Sequence, residues 1–221
     1  MAVKVALINM KGGVGKSTLT AKLAWQFACY QNWAKRVLVI DLDPQFNVSQ
    51  YLLGPKKYQG LIAKGQRTVW DVMEQGTATP SAGKSPLVKP ADVICNVVTF
   101  SSTSGKIDLI PSRLELAWSL RNPALKERKL ANLIQKVDDQ YDLILVDCAP
   151  TESLLTTTAY FTCDHVLVPV LPEYLSSIGL PLLSRSISEF EEQNEGKTVK
   201  VVGIVFNATE GYSPEEKKAK A

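Results

Sequence analysis

The chain has 221 residues, 45% hydrophobic and 21% charged, which is enough for one α/β domain with a substantial core. Its formal net charge of +3 is too slight to argue by itself for nucleic acid, although it allows a basic patch on one face. The four cysteines, Cys29, Cys95, Cys148 and Cys163, form no C-x-x-C pair, so they fit reduced thiols better than a disulfide framework or a zinc site. No apolar run approaches the ~20 residues of a membrane span, and the N-terminus enters a strand without a signal-peptide pattern. These features lead us to expect a cytoplasmic protein with no membrane partner.

In chain order, Val3 to Ile8 predicts a strand and the pattern up to about Tyr30 predicts a helix. Between them lies Met10-Lys11-Gly12-Gly13-Val14-Gly15-Lys16-Ser17-Thr18. Strand, glycine loop and helix are the context of a phosphate-binding loop. Glycines let successive backbone N–H groups turn toward an anion, and the helix N-terminus adds roughly half a positive charge. Lys16 is expected to reach the β/γ-phosphates, and the Ser17 hydroxyl to ligate Mg²⁺. A dinucleotide fingerprint is disfavoured because Thr18 occupies the place of its third glycine. The loop also departs from the general phosphate-loop pattern: Met10 stands where the first glycine belongs, and a second lysine, Lys11, guards the entrance.

The spelling Lys-Gly-Gly-x-Gly-Lys-Ser resembles the deviant Walker A motif of the ParA/MinD superfamily. The resemblance implies that residues 11–18 bind ATP and that Lys11 reaches across a dimer interface to the partner subunit's nucleotide.

Leu19, Leu23, Ala24 and Phe27 recur at helical spacing and are expected to pack on the sheet, and packing is the default reading for Trp25 and Trp33. Val37 to Ile40 is an apolar run typical of a buried parallel strand, ending in Asp41-Leu42-Asp43-Pro44-Gln45. Carboxylates at the C-terminal end of such a strand lie at the ligand-binding edge of an open α/β sheet. The segment resembles the first switch of ParA proteins, which implies that Asp43 positions or activates the attacking water and that Asp41 lies near the Mg²⁺ shell.

Residues 54–106 are broken by glycines and prolines and read as an irregular, insert-like region. Within it, Thr68 to Gln75 predicts a short helix, Thr77 to Pro90 an exposed loop and Val93 to Phe100 a strand. Ile107 to Ile110 is the next strand, followed by a helix holding Leu114, Leu116 and Leu120. A second helix, Ala124 to Val137, is expected to turn Leu125, Leu130, Leu133, Ile134 and Val137 inward. Arg121, Lys126, Arg128, Lys129 and Lys136 make the densest basic cluster, which reads as a solvated helix face with a DNA-facing surface as the alternative.

Tyr141 to Val146 predicts a strand ending in Asp147-Cys148-Ala149-Pro150, a Walker B pattern in which Asp147 holds Mg²⁺ through water. The same residues resemble the family's second switch. Cys148 reads as a buried thiol and His165 as structural. His165 to Val170 is a strand, Ile178 to Phe190 a helix, and Val199 to Phe206 the last strand, ending in Asn207. By the resemblance, Asn207 contacts adenine. Pro214 with Glu215 and Glu216 predicts the start of a helix that is not finished, so the expectation is a single ATPase domain over residues 1–221 truncated at its C-terminus.

The alternation of strands and helices predicts a doubly wound, mostly parallel α/β sheet. The resemblance implies a ParA-type ATP hydrolase that dimerises on ATP, binds DNA nonspecifically at the nucleoid and drives plasmid or chromosome partition. A ParB-like partner and DNA are expected to stimulate its weak turnover. Rival readings are a positioning ATPase that takes a protein cargo through an adaptor, and a nucleotide-gated module without turnover. A MinD-like membrane cycler requires an amphipathic C-terminal helix, and none is read before Ala221. An iron–sulfur electron carrier requires a cysteine pattern that Cys95 and Cys148 lack.

Overall fold

Along Arg36–Leu42, Val37 and Val39 enter one buried cluster while Leu38, Ile40 and Leu42 enter another. Leu143 and Leu145 divide in the same way from Ile144, Val146 and Cys148. Side chains alternate across a strand, so apolar residues at every position demand cover on both faces. The result, in a computed structural model, is a sheet packed between two helical layers. The structure describes residues 1–76, 78–79, 83–84, 87–121, 123–172 and 176–208.

Strand β1 (Val3–Leu7) leads to helix α1 (Lys16–Cys29) and β2 (Arg36–Leu42). Three helices follow, α2 (Asn47–Leu53), α3 (Pro55–Ala63) and α4 (Val69–Glu74), then an antiparallel ribbon of β3 (Ala78–Thr79) and β4 (Gly83–Lys84). Next come α5 (Pro90–Val93), β5 (Cys95–Thr99), β6 (Lys106–Ile110), α6 (Leu116–Ser119) and α7 (Lys129–Ile134). The remaining described elements are β7 (Leu143–Cys148), α8 (Leu154–Thr162), β8 (His165–Val170), α9 (Ser176–Gln193) and β9 (Lys200–Phe206).

The main sheet has the order β5-β6-β2-β7-β1-β8-β9. Every described pairing within it is parallel except β5 against β6. This is the doubly wound, mostly parallel architecture that the sequence predicts. α1, α2 and α3 contribute to the cluster on one face; α4, α6, α7, α8 and α9 contribute to the other. Each fully buried aliphatic side chain contributes about 1.5–3 kcal/mol.

Three expectations change. Residues 54–106, which read as irregular, supply α3, α4 and the antiparallel edge strand β5. The strand expected over Val93 to Phe100 is β5, with a register shift between Asn96 and Val98 that breaks its alternation. The helix expected from Ala124 begins only at Lys129. Before it, Leu125 adopts a left-handed φ of 62° and is exposed rather than inward. Leu114 and Leu120 are likewise exposed, outside the short α6.

The basic cluster is the third change. Lys126 is buried and bonds Glu74 at 2.6 Å. The Lys129 ammonium donates to the Met73 and Gln75 carbonyls, capping α4, where cations complement the helix dipole. The Arg128 guanidinium lies 4.5 Å from the Phe161 ring. Three of the five basic side chains are thus engaged within the protein. The expected solvent loop at 77–90 lies partly outside the described residues, as does the helix expected at Pro214. Among the described residues, no helix is long and apolar enough to cross a membrane.

The Glu74 contact makes a testable point. Burial raises the pKa of this carboxyl, but bonds from Lys126 and Ser119 together bring it below its usual value. A depressed folded pKa contributes stability above the unfolded pKa that is lost as pH falls through the folded one. Glu74→Gln is expected to cost roughly 2 kcal/mol in urea unfolding at pH 7, less than a fully buried pair because Glu74 is partly exposed. That cost is expected to shrink as the pH is lowered through the carboxylate range.

Candidate functional site

The register of the central strands sets the site. On β2 and β7 Asp41 stands opposite Asp147, and on β7 and β1 Asp147 stands opposite Leu7. One row across three strands therefore ends in two aspartates and the entry to the glycine loop. By alternation, Asp41 and Asp147 follow Val39 and Leu145 onto the face covered by α1 and α2.

The loop is shaped from within and from its flanks. Gly13 and Gly15 have φ of 76° and 88°, a region that side-chain-bearing residues rarely adopt. A Cβ on Gly15 would also lie 2.1 Å from the Asn207 amide. A Cβ on Gly12 meets nothing within 4 Å, so this glycine leaves open space beside the loop. Asn9 accepts the Lys11 amide at 2.8 Å and donates to the Pro169 carbonyl at 2.7 Å. On the other side Asn207 donates to the Val14 carbonyl at 3.0 Å. The two asparagines fasten the loop to the β8–β9 side of the sheet.

A cavity of about 390 Å³ opens at the loop, lined by Gly12, Gly13, Gly15, Lys16, Ser17, Thr18, Asp43, Gln45, Asn47, Tyr51 and Pro150. Six of the loop residues singled out in the sequence, together with Asp43, meet on this wall. Lys11, Val14, Asp41, Asp147 and Asn207 do not line it. The Lys16 ammonium is nearly buried and donates to the carbonyls of Asn9 and Lys11, at 3.0 Å each. Burial lowers its pKa, and Asp147, Cys148 and Asp43 oppose that shift.

Asp147 has no solvent exposure; Thr20, one turn along α1 from Lys16, donates to its Oδ1 at 3.3 Å. Burial is the main reason its pKa is pushed up to about 7; the charge of Asp43 adds to the rise, while Ser17, Lys16 and Thr20 oppose it. Its Oδ2 is buried with no hydrogen-bond partner. An orphaned carboxylate oxygen beside a serine hydroxyl is the donor set a hydrated divalent cation satisfies, so Ser17 and Asp147 fit Mg²⁺.

Asp41, expected near the Mg²⁺ shell, is held differently from Asp147. Its Oδ2 accepts the Ser49 amide at 2.9 Å and the Ser49 hydroxyl at 2.6 Å, and its Oδ1 accepts the Asp43 amide at 3.2 Å. Both oxygens are engaged inside the protein, and burial together with Asp147 holds its pKa well above the carboxylate range. Asp43 sits in a turn in which the Gln45 amide bonds its Oδ1 at 2.8 Å and the Phe46 amide bonds its carbonyl at 2.9 Å. Phe46 has a φ of 45°, a strain of about 1–3 kcal/mol for a bulky residue. Its ring stacks on Tyr58 at 5.1 Å, which offsets part of that cost.

The three buried cysteines supply no reactive group. Burial raises the thiol pKa of Cys148 and Cys163 well above the ordinary value and that of Cys95 to about 11. Cys95 on β5 and Cys148 on β7 are three strand spacings apart, about 14 Å, too far to share one cluster. The sequence reading missed Asn9, Thr20 and Ser49. Thr20 was available as the residue four after Lys16 on the same helix face. Asn9 was the one polar residue between Ile8 and the loop, whereas nothing local marked Ser49.

A family model described as AAA domain matches residues 2–201. The chain is 31% identical over 208 residues to the chromosome-partitioning ATPase Soj of Thermus thermophilus, covering 94% of this chain and 70% of that protein. It is 32% identical over 207 residues to the cell division protein PomZ of Myxococcus xanthus, covering 91% of this chain and 57% of that one. Across the curated relatives it matches, the chain spans 57–75% of their length. Among solved structures, cobyrinic acid a,c-diamide synthase of Mycobacterium smegmatis shares the fold, with a TM-score of 0.78 at 24% identity over 100% of this chain and 78% of that one.

Asp147 also sets a pH dependence. The folded protein keeps this proton to about pH 7, whereas the unfolded chain releases it near the ordinary value of 3.8. Between those limits the native state binds more protons, so stability falls as pH rises. Asp147→Asn is expected to raise the ligand-free stability at pH 8 by about 1 kcal/mol or more, roughly 2–4 °C in Tm by calorimetry. The gain is expected to vanish near pH 4.

Proposed function

The chain belongs to the ParA/MinD superfamily of P-loop ATPases, and from that membership we propose that it is a ParA-type partition ATPase. Two copies close face to face over bound nucleotide, bind DNA without sequence preference, and release it when a ParB-like partner stimulates hydrolysis. The observation that carries this reading is the meeting of Lys16, Ser17 and Asp43 on one cavity wall, with Lys11 just outside it.

In this reading the loop amides and Lys16 hold the β/γ-phosphates, and Thr18 and Val14 fix the loop's entry into α1. Ser17 and Asp147 hold Mg²⁺, which when bound supplies positive charge against the phosphate oxygens. The Mycobacterium smegmatis synthase, of the same fold, was solved with an ATP analogue and magnesium. Asp43 orients the attacking water: with one oxygen occupied by Gln45, its other oxygen is left to accept a proton. Asn207 holds the loop in register from the β9 side.

Lys11 serves the opposite copy. The support for this is the spelling Lys-Gly-Gly-x-Gly-Lys-Ser of the loop, with the Lys11 main chain held at the entrance by Asn9. Such a cation delivered in trans is worth roughly 10³–10⁵-fold in related chemistry. DNA binding by this reading does not run through Lys126 and Lys129, which cap and pair with α4.

A second reading keeps the same engine and exchanges the cargo. Similarity to the cell division protein PomZ, at the same level of identity as to the chromosome-partitioning Soj, leaves room for a positioning ATPase whose cargo is a protein assembly. The neighbouring partner decides between them.

Two variants test the engine. Lys11→Ala is expected to hold nucleotide within about threefold of the parent affinity while losing DNA- and partner-stimulated turnover; unchanged stimulated turnover contradicts the in-trans role. Asp43→Ala is expected to accumulate as an ATP-bound dimer in size-exclusion chromatography, with phosphate release reduced by about 10²-fold or more. ATP-dependent DNA binding is expected to weaken steeply between about 50 and 200 mM salt, as phosphate contacts require.

A further inference from the structure

A chain of buried polar contacts runs from the site toward the antiparallel edge of the sheet, and nucleotide binding leaves it without a role. It begins at Asp41, whose Oδ1 accepts the Asp43 amide and whose Oδ2 accepts both donors of Ser49. The Ser49 Oγ in turn accepts the Ser112 amide at 3.1 Å. The Ser112 carbonyl accepts the Tyr58 hydroxyl at 2.8 Å, and the Tyr58 ring stacks on Phe46. Ser49 and Ser112 have no solvent exposure. One hydroxyl thus ties together the end of β2, the start of α2 and the segment that follows β6.

The segment enclosed by this ring of contacts, residues 43–46, carries Asp43 to the cavity. Its internal bonds, from the Gln45 and Phe46 amides back to Asp43, fix the shape of the turn but not its position. Position is set from outside, by Asp41 at one end and Phe46 against Tyr58 at the other. Both ends depend on the Ser49 hydroxyl, directly through Asp41 and indirectly through Ser112 and Tyr58. Removing that oxygen leaves the Ser112 amide without its acceptor and the Asp41 Oδ2 with one donor instead of two. Buried polar groups left unpaired are costly, and the turn is free to move to repair them.

We propose that Ser49 is a positioning residue for Asp43, a latch that sets the depth at which the 43–46 turn presents its carboxylate to the cavity. The proposal rests on the reading of Asp43 as the group that orients the attacking water. It assigns Asp41 to the same latch rather than to the metal. It also predicts a rate effect without a binding effect, because neither Ser49 nor Asp41 lines the cavity.

The test measures single-turnover phosphate release and the affinity for a fluorescent ATP analogue with Mg²⁺, using the full chain and its Ser49→Ala, Ser49→Thr and Asp43→Ala variants. Ser49→Ala is expected to slow release about tenfold with affinity within twofold of the parent, and Ser49→Thr, which keeps the hydroxyl, to restore release to within twofold. Parent-like release by Ser49→Ala, an affinity loss as large as the rate loss, or a Thr variant as slow as the Ala variant overturns the latch. If Ser49→Ala does not fold, Tyr58→Phe decides: it removes a hydroxyl further along the same chain. It is expected to slow release two- to threefold at unchanged affinity, and an unchanged rate overturns the proposal. Parent-like release by Asp43→Ala overturns the reading of Asp43 and the latch with it, whereas a slow Asp43→Ala beside a parent-like Ser49→Ala overturns the latch alone.

Discussion

Asp41 and Asp147 stand opposite each other on adjacent parallel strands, about one strand spacing apart, and neither has any solvent exposure. Two carboxylates at that distance in a low-dielectric interior would repel strongly, and burial together with a neighbouring carboxylate is why both hold their protons above the usual carboxylate range. The arrangement persists because the two are treated differently. Asp41 is surrounded by donors from Ser49 and Asp43, whereas Asp147 keeps one oxygen unpartnered beside Ser17 and Lys16. One carboxyl is thereby absorbed into the framework and the other stays available for a cation.

That division reaches outward through the layers. The apolar runs of β2 and β7 place both aspartates on the α1–α2 face, so the helix behind the glycine loop and the helix behind the 43–46 turn close on the same two groups. Core packing and site geometry are therefore one problem. A register slip of one residue in β7 would send Asp147 to the opposite layer and leave Cys148 facing Lys16. The continuous burial of six residues in β7 guards against such a slip, since every position is packed on one side or the other.

The parts legible in the sequence are those that local chemistry dictates. The glycine loop, the apolar strands and the aspartates at their ends follow from short motifs, and the structure gathers Lys16, Ser17 and Asp43 around one cavity. What escaped depends on contacts between distant residues. Lys126 reads as a surface cation until Glu74, more than fifty residues earlier, is seen beside it. Leu125 reads as a helix core residue, but the chain after Pro123 turns through a left-handed conformation instead. Nothing near Asp41 in sequence marks its partner, and only the fold of α2 back over β2 brings Ser49 to it. Residues 54–106 look irregular because their elements are short, α4 having six residues and α5 four.

One described contact bears on how the loop meets any anion. The Lys16 ammonium gives two of its three donors to the carbonyls of Asn9 and Lys11. An incoming phosphate oxygen therefore meets a cation that the backbone has already aimed, with one donor left to give. The entropy lost in holding so long a side chain still is incurred when the chain folds and not when the anion arrives.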